Sequence, residues 1–297
     1  MAAGRELELK FLASAAGLEA ALRIPLLAPL KNAPAVSQTS TYFDTPDQDL
    51  QKAGFILRLR EAGGRILQTV KQDGVGLERG EWEEAVATLE PDFERIAGTP
   101  LGVLADEELR VRIAPVFTTR FNRRKAEVSA GSAVVEVAFD EGEVVAGASA
   151  SPIREIEIEL KSGRRSGLFS LARKLVSAAP VNLSLISKGE RGHRLASGVW
   201  GAPVKMTPPP LDAAMSAADA FCAIAHGCLR QMMLNAPAFE NGQAVEAVHQ
   251  TRVAIRRLRA AMTLFRPLIA DRTCPALASE LKWLSGQLGA TRDIDVL

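Results

Sequence analysis

The chain has 297 residues, 47% of them hydrophobic, which is enough for two packed domains. Its 36 basic and 35 acidic residues leave a formal charge of +1, which excludes the bulk basic character of a general nucleic-acid binder. Cys222, Cys228 and Cys274 are odd in number and lack metal-ligand spacing, so they read as buried thiols in a reducing compartment rather than a disulfide framework. The start, Met1-Ala2-Ala3-Gly4-Arg5-Glu6, leaves no room for a signal peptide, and no uninterrupted apolar run approaches membrane-spanning length. The expected location is cytoplasmic.

The first element is the stretch Glu6-Leu7-Glu8-Leu9-Lys10. In an extended chain Glu6, Glu8 and Lys10 share one face and Leu7, Leu9 and Phe11 the other. Ser14 caps a short helix through Leu22, limited by Pro25. Pro46-Asp47 marks a turn after Tyr42-Phe43-Asp44, and Gly54 precedes a strand with Arg58 and Arg60 on one face. Gly63-Gly64 reads as a hairpin turn into Ile66–Lys71, where Thr69 and Lys71 share a face. A loop from Asp73-Gly74 to Gly80 leads to a charged row of Arg79, Glu81 and Glu83 beside Trp82. Residues 91–113 read as helical, with Phe93, Ile96, Leu101, Leu104 and Leu109 as apolar contacts.

Extended structure resumes from Val116 to Val128, carrying Arg120-Phe121-Asn122-Arg123-Arg124-Lys125. Alternation prevents all of these cations from facing one way. In the next strand Glu136, Ala138 and Asp140 alternate with Val135, Val137 and Phe139. After the small-residue turn Ala146–Ser151, Glu155, Glu157 and Glu159 alternate with Ile156, Ile158 and Leu160. A covering helix spans about Gly167 to Ala178, and a short strand leads into Lys188–Arg191. His193, beside Arg191, reads as a surface residue.

One charged strand face is explained by solvent. At least six strands carrying both signs are better explained by a closed sheet whose charged faces line a polar tunnel and whose apolar faces turn outward onto helices. Carboxylates bind hard cations, and Arg and Lys bind phosphate oxygens, so such a lining suits a polyanion held through divalent metal.

Glu6-x-Glu8-x-Lys10 resembles the ExExK signature of the CYTH superfamily, the triphosphate tunnel metalloenzymes. Tyr42-Phe43-Asp44-Thr45, Leu57-Arg58-Leu59-Arg60, Thr69-x-Lys71, Arg79-x-Glu81-x-Glu83, Glu155-x-Glu157-x-Glu159 and Ser187-Lys188-x-x-Arg191-Gly192 follow in that family's order. The resemblance implies an α+β fold: a closed antiparallel eight-stranded β tunnel barrel with covering helices, over residues 1–200. It also implies one or two Mg²⁺ or Mn²⁺ ions, with Glu6, Glu8, Glu157 and Glu159, together with Glu155, Glu136 and Asp140, as metal ligands. Lys10, Arg58, Arg60, Lys71, Arg123, Lys188 and Arg191 would grip the phosphates. Glu81 and Glu83 would ligate a metal or pair with these cations. The family's Arg-x-x-aromatic pattern favours Arg123, although Ala126 stands in the aromatic's place and Arg120 and Arg124 compete for the inward face.

A Pro-rich stretch, Gly198–Leu211 with Pro208-Pro209-Pro210, reads as a linker, placed at 201–211. Beyond it, over 212–297, strand alternation gives way to helical periodicity at Ala213–Leu234, Ala244–Leu268 and Pro275–Leu288. His249, Arg252, Arg256 and Arg259 fall within about one quadrant of the helical wheel. Val248, Ile255, Leu258, Met262 and Phe265 form the adjoining core face. His249-Gln250-x-Arg252 through Arg259, with Arg292-Asp293-x-Asp295 downstream, is similar to CHAD domains. That likeness implies a helical module that binds inorganic polyphosphate. The family would continue for several more helices past Leu297, so a truncated module is expected.

The combined CYTH and CHAD likeness implies an inorganic triphosphatase that splits tripolyphosphate into pyrophosphate and phosphate. The alternatives are a thiamine triphosphatase, a class IV adenylate cyclase, a non-catalytic polyphosphate adaptor, and nucleic-acid binding through the Arg256 helix. An aromatic content of 5%, with a single tyrosine, weighs against a base-stacking pocket.

Overall fold

The computed structural model describes residues 7–72, 80–239, 244–269, 271 and 273–294, from 290 onward as backbone alone. The chain divides into two compact units, Met1–Gly198 and Val199–Leu297.

In the first unit the elements run β1 (Glu8–Ala13), α1 (Ala15–Ala21), β2 (Val36–Asp44), α2 (Asp49–Lys52), β3 (Phe55–Ala62), β4 (Arg65–Gln72) and β5 (Gly80–Val86). They continue with α3 (Phe93–Ile96), α4 (Glu107–Arg112), β6 (Ala114–Ala130), β7 (Ala133–Ala146), β8 (Ser149–Gly163), α5 (Arg165–Ala178), β9 (Val181–Ser184) and α6 (Lys188–Ala196). Ser14 caps α1 by accepting from the Gly17 backbone N–H. Gly63 and Gly64 both hold positive φ, the geometry that a tight β3–β4 hairpin requires.

All nine strands form one antiparallel sheet in the order β5-β4-β3-β2-β6-β7-β8-β1-β9. Among the described residues there are thus nine strands where eight are expected, and no ladder joins β5 to β9 to close the ring. The short strand expected before Lys188 is the four-residue β9, which among the described residues pairs with Lys10–Ala13 of β1. Electrostatics nevertheless report the curl. Glu8 on β1 feels the charge of Lys71 on β4, with five strands between them in the sheet order, and Arg60 on β3 feels Arg123 on β6. The sheet bends into a tunnel without completing its hydrogen bonding.

The apolar faces turn outward, as alternation requires. Leu9, Phe11, Val135, Val137, Phe139, Ile156 and Ile158 are buried against Leu18 of α1, Leu27 and Leu30 of the 3-10 turn Pro25–Lys31, and Leu168, Leu171 and Leu175 of α5. A second core joins Leu57, Leu59 and Val70 to Leu50, Ile96 and Leu101. Each such fully buried side chain contributes about 1.5–3 kcal/mol.

The helix expected over 91–113 is broken into α3, a 3-10 turn at Pro100–Val103, and α4. Asp92 and Asp106 each cap a new start, and Pro100 forbids continuation.

The packing of α6 positions the site. Its Ser187 cap accepts from the Glu190 N–H. A Cβ on Gly192 would lie 2.0 Å from the Phe117 ring, and one on Gly189 would lie 2.9 Å from Ile56. The two glycines thus seat the helix directly on the tunnel wall. Phe117 is itself stacked on Tyr42 at 4.4 Å and meets the His193 ring edge-on at 5.0 Å. His193 is buried rather than at the surface, because the helix face that carries it is the one pressed on these rings. Its Nδ1 lies 3.8 Å from Asp44, and burial pushes its pKa down, with the Asp44 charge opposing. Asp44 also accepts from the Thr45, Leu50 and Gln51 N–H groups and so anchors α2.

The second unit holds α7 (Ala217–Asn235), α8 (Ala244–Leu264), α9 (Arg266–Ile269) and α10 (Cys274–Ile294). Residues 203–212, rich in proline, form neither helix nor strand, but Val204 exchanges hydrogen bonds with the Asn235 side chain on α7. Cys228, Ile255, Leu258, Met262 and Leu281 form the core of this unit. Of the three cysteines only Cys228 is buried, since Cys222 faces outward on α7. Among the described residues no helix is long and apolar enough to cross a membrane.

Replacing Gly192 by alanine should destabilise the protein by about 1–3 kcal/mol through overpacking against the pinned Phe117 ring. Alanine is otherwise the better helix former by roughly 1 kcal/mol, so the sign itself is diagnostic. Urea unfolding measures it, and an unchanged or raised midpoint would show that α6 does not rest on Phe117.

Candidate functional site

The inner face of the sheet carries two ion clusters. The first joins β1, β6, β7, β8 and α6. Register sets Arg123, Asp140 and Glu155 in one row across β6, β7 and β8, and Lys10 opposite Glu157 in the row two residues along. Lys188 reaches in from the first turn of α6. Its Nζ lies 2.6 Å from Glu155, 2.7 Å from Glu157 and 2.8 Å from Asp140. One turn later Arg191 donates to Glu155 at 2.8 Å and to the Pro152 carbonyl at 2.7 Å. Arg123 grips Asp140 through two bonds, at 2.7 and 2.6 Å, and also bonds Glu157. Lys10 stands 3.4 Å from Glu157 and 3.8 Å from Glu8.

The second cluster lies on β3, β4 and β5. Lys71 meets Glu81 at 2.7 Å, Arg60 meets Glu83 at 2.7 Å, and Arg58 sits 3.5 Å from Glu81 and 3.9 Å from Glu83. Thr69 donates to Glu83 at 2.9 Å. A looser set, Lys125–Glu136 at 2.9 Å and Lys161–Glu159 at 2.7 Å, lies on more exposed side chains. Of the three arginines competing for the inward face, Arg123 takes it, Arg120 is exposed, and Arg124 pairs with Glu141 at 3.2 Å.

These charges set one another's protonation. Burial would raise Glu155 and Glu157, but the charges of Lys188 and Lys10, with Arg191 for Glu155 and Arg123 for Glu157, hold both below the usual carboxylate range. Burial would lower Lys188, yet Glu155, Glu157 and Asp140 keep its pKa well above that of an ordinary lysine. Burial would likewise raise Glu81, which Lys71 and Arg58 outweigh. Glu8 behaves oppositely. Burial pushes its pKa up, the charge of Glu157 adds to this, and Lys10, Lys188 and Lys71 only partly compensate. Glu8 is thus an under-neutralised carboxylate in a tunnel of satisfied ones.

Oxygens of Asp140, Glu155 and Glu157 lie within 4.8 Å of one another, close enough to share a cation. In this structure the Lys188 ammonium fills that role. The donor set is all carboxylate, the chemistry that suits a hard divalent ion such as Mg²⁺ or Mn²⁺. Glu6 and Arg79 lie outside the described residues, as does Asp295, and nothing is described of the Arg292 and Asp293 side chains.

Sequence alternation left out two contributors. Phe121 lies beneath both Lys188 (5.2 Å) and Arg123 (5.5 Å), a cation–π floor legible in the Phe121-x-Arg123 spacing. The other is the His193–Asp44 contact behind α6, for which a lone histidine in sequence gives no signal.

In the second unit His249 and Arg252 are half-buried and Arg256 and Arg259 exposed on α8, opposite buried Ala247, Thr251, Ala254, Ile255 and Leu258. Among the described residues none of these four has an acidic partner.

The CYTH domain profile matches residues 4–192, and the CHAD domain profile matches residues 223–297. An inorganic triphosphatase of Haemophilus influenzae is 35% identical over 164 residues, which are 53% of this chain and 46% of that protein. The chain therefore spans about half the length of this relative. A Hippeastrum protein described as having a dominant triphosphatase activity aligns with 65% of this chain and 96% of its own, at 15% identity and a TM-score of 0.44. A Bacillus halodurans protein aligns with 63% and 96%, at 20% identity and a TM-score of 0.43. With its tunnel sheet and the profile match spanning most of the chain, this protein belongs to the CYTH family and carries CHAD sequence in its helical unit.

Proposed function

We propose that the chain is a metal-dependent triphosphatase that cleaves inorganic tripolyphosphate to pyrophosphate and phosphate. The observation that carries this reading is the convergence of Lys10, Arg58, Arg60, Lys71, Arg123, Lys188 and Arg191 on one curled face, each already held by a carboxylate. The inorganic triphosphatase relative supports it. Tyr42 and Phe117 are stacked on each other, and Phe121 underlies two cations, so these rings are engaged and do not offer a face to a nucleobase. That favours an inorganic chain over a nucleotide.

The residues present fit a divalent ion. Glu8, opposite Glu159 on β8 and near Glu157, would hold the ion through an all-oxygen set, and Glu6, which lies outside the described residues, is assigned to that set by the family resemblance alone. A bound Mg²⁺ or Mn²⁺ would neutralise phosphate charge and make water a better nucleophile. Asp140 and Glu155, both fully buried, hold Lys188, Arg123 and Arg191 in place instead. Arg58, Arg60 and Lys71 release Glu81 and Glu83 and take phosphate oxygens, exchanging one anion for another without dehydrating a fresh charge. Cations fixed in advance around the terminal phosphorus stabilise the charge that spreads over its oxygens as water attacks opposite the leaving pyrophosphate. In the helical unit, His249, Arg252, Arg256 and Arg259 form a polyphosphate-binding stripe, supported by their lack of acidic partners among the described residues.

Phosphate release from tripolyphosphate, ATP and thiamine triphosphate, with and without Mg²⁺ or Mn²⁺, tests the substrate. Glu8→Gln should lower tripolyphosphate turnover about a hundredfold, equivalent to roughly 3 kcal/mol, and weaken Mn²⁺ binding by calorimetry. Near-normal turnover at saturating metal would remove Glu8 from the metal set. Arg58→Ala and Lys71→Ala should instead raise KM and leave Mn²⁺ affinity intact; a variant that lost the metal but kept its KM would reverse the roles. For the helical unit, polyphosphate affinity measured over a salt series should fall with a log–log slope of about two to three, at roughly 0.7 per neutralised phosphate by analogy with single strands. Neutralising all four stripe residues with Gln should flatten that slope, and an unchanged slope would leave the stripe a merely solvated face.

A further inference from the structure

A cleft of ≈ 680 Å³ lies on the outside of the first unit, on the face of the covering helices turned away from the sheet. It is lined by Ala20, Arg23, Ile24 and Pro25 from the end of α1 and the turn after it, and by Ser170, Arg173, Lys174, Ser177 and Ala178 from α5. On α5 these positions follow one another at three- and four-residue steps, so they make a continuous stripe. The opposite stripe of the same helix, Leu168, Leu171, Ala172 and Leu175, is buried in the core. The lining stripe is therefore held rigidly, and it places the cations Arg173 and Lys174 between the hydroxyls of Ser170 and Ser177.

Its charge is one-sided. Helix α5 contains no acidic residue, and among the described residues no carboxylate lines the cleft; Glu19 of α1 is exposed beside it in sequence but is not part of the lining. Arg23, Arg173 and Lys174 are exposed and have no ion-pair partner among the described residues, whereas the tunnel cations of this unit are each paired. Beside these cations the apolar part of the lining is formed by Ala20, Ile24, Pro25 and Ala178. The volume is that of a small-molecule site rather than a single-ion pocket.

We propose that this cleft is a second ligand site, separate from the tunnel, for a phosphate-bearing small molecule with an apolar body, of the size and chemistry of a nucleoside monophosphate. The three cations and two hydroxyls take the phosphate, as Arg and Lys do wherever phosphate is recognised, and the apolar lining takes the body. Because the cations are exposed, affinity falls as salt screens them.

Isothermal titration of the full chain, free of divalent metal, with AMP and separately with inorganic phosphate tests this. AMP should bind more tightly than phosphate. The triple variant R23A, R173A and K174A should lose AMP affinity by about tenfold or more while its tripolyphosphate turnover stays at the wild-type value. The substitutions are at exposed positions, and circular dichroism checks that the fold is kept. Unchanged AMP affinity in the triple variant overturns the site, as does the absence of AMP binding at roughly millimolar concentration. Phosphate binding as tightly as AMP overturns the role of the apolar lining. A fall in turnover that tracks the loss of AMP overturns the separation from the tunnel.

Discussion

Everything in the first unit depends on opposite charges neutralising one another inside a curled sheet. An ion taken out of water loses several kcal/mol of hydration unless a partner replaces it. Lys188 illustrates the balance. At 2.6–2.8 Å from three carboxylates, each contact is attractive by about 6 kcal/mol at an effective dielectric constant near 20. Three such contacts offset one ammonium's desolvation, whereas one would be marginal. The same arithmetic explains why the acids come in threes around it. It also fits Glu8, whose pKa burial pushes up first and the charge of Glu157 second, with Lys10, Lys188 and Lys71 opposing.

Such a network can change partners but cannot be left half empty. Under the proposed function, a triphosphate would bring negative charge to cations now held by Glu81, Glu83 and Glu157, and the released carboxylates would then require positive charge of their own. Divalent metal and anionic substrate would be linked by this requirement, because each would compensate what the other uncovers. The fold makes the exchange local by rooting the permanent members elsewhere: Asp140 and Glu155 are fully buried, and Arg191 is tied to both Glu155 and a backbone carbonyl. Helix α6 delivers Lys188 and Arg191 together because they stand three residues apart. The intervening Gly189 and the following Gly192 let the helix approach Tyr42 and Phe117 closely enough for both side chains to reach.

Alternation made most of this legible from residues alone. A two-residue period with charge on one face and hydrocarbon on the other places Glu8, Lys10, Arg58, Arg60, Lys71, Asp140, Glu155 and Glu157 inward, and they do meet there. Period says nothing about ring closure or strand number, since those depend on which edges find each other. Among the described residues nine strands and an open ladder therefore stand where a closed eight is expected. Nor does period choose among Arg120, Arg123 and Arg124; register against Asp140 does, and register is a tertiary property. The segment 91–113 misled because its apolar spacing is helical while its capping residues and prolines are not. Local stop signals prevailed over periodicity. His193 was placed at the surface because a lone histidine among charges usually sits there, and only the glycine-mediated approach of α6 buries it.

The pairing state of its cations separates the protein's surfaces by kind. In the tunnel, opposite charges arrive on neighbouring strands, so pairing is enforced by register, and screening by salt is weak because the pairs are partly dehydrated. On α5 and α8 the cations arrive on helices whose neighbouring positions along the stripe are hydroxyls or other cations, and pairing is not available locally. With a total charge of only +1, such unpaired stripes are not the overflow of a basic protein; they are local concentrations set against acids placed elsewhere. A solvated cation needs no partner to be tolerated, but several held on one rigid face repel one another. An arriving polyanion relieves that repulsion and gains attraction to each charge in turn. The tunnel and the stripes thus present the same side chains in two electrostatic regimes: in the tunnel an anion must displace a resident carboxylate, and on the helices it displaces only water and small ions.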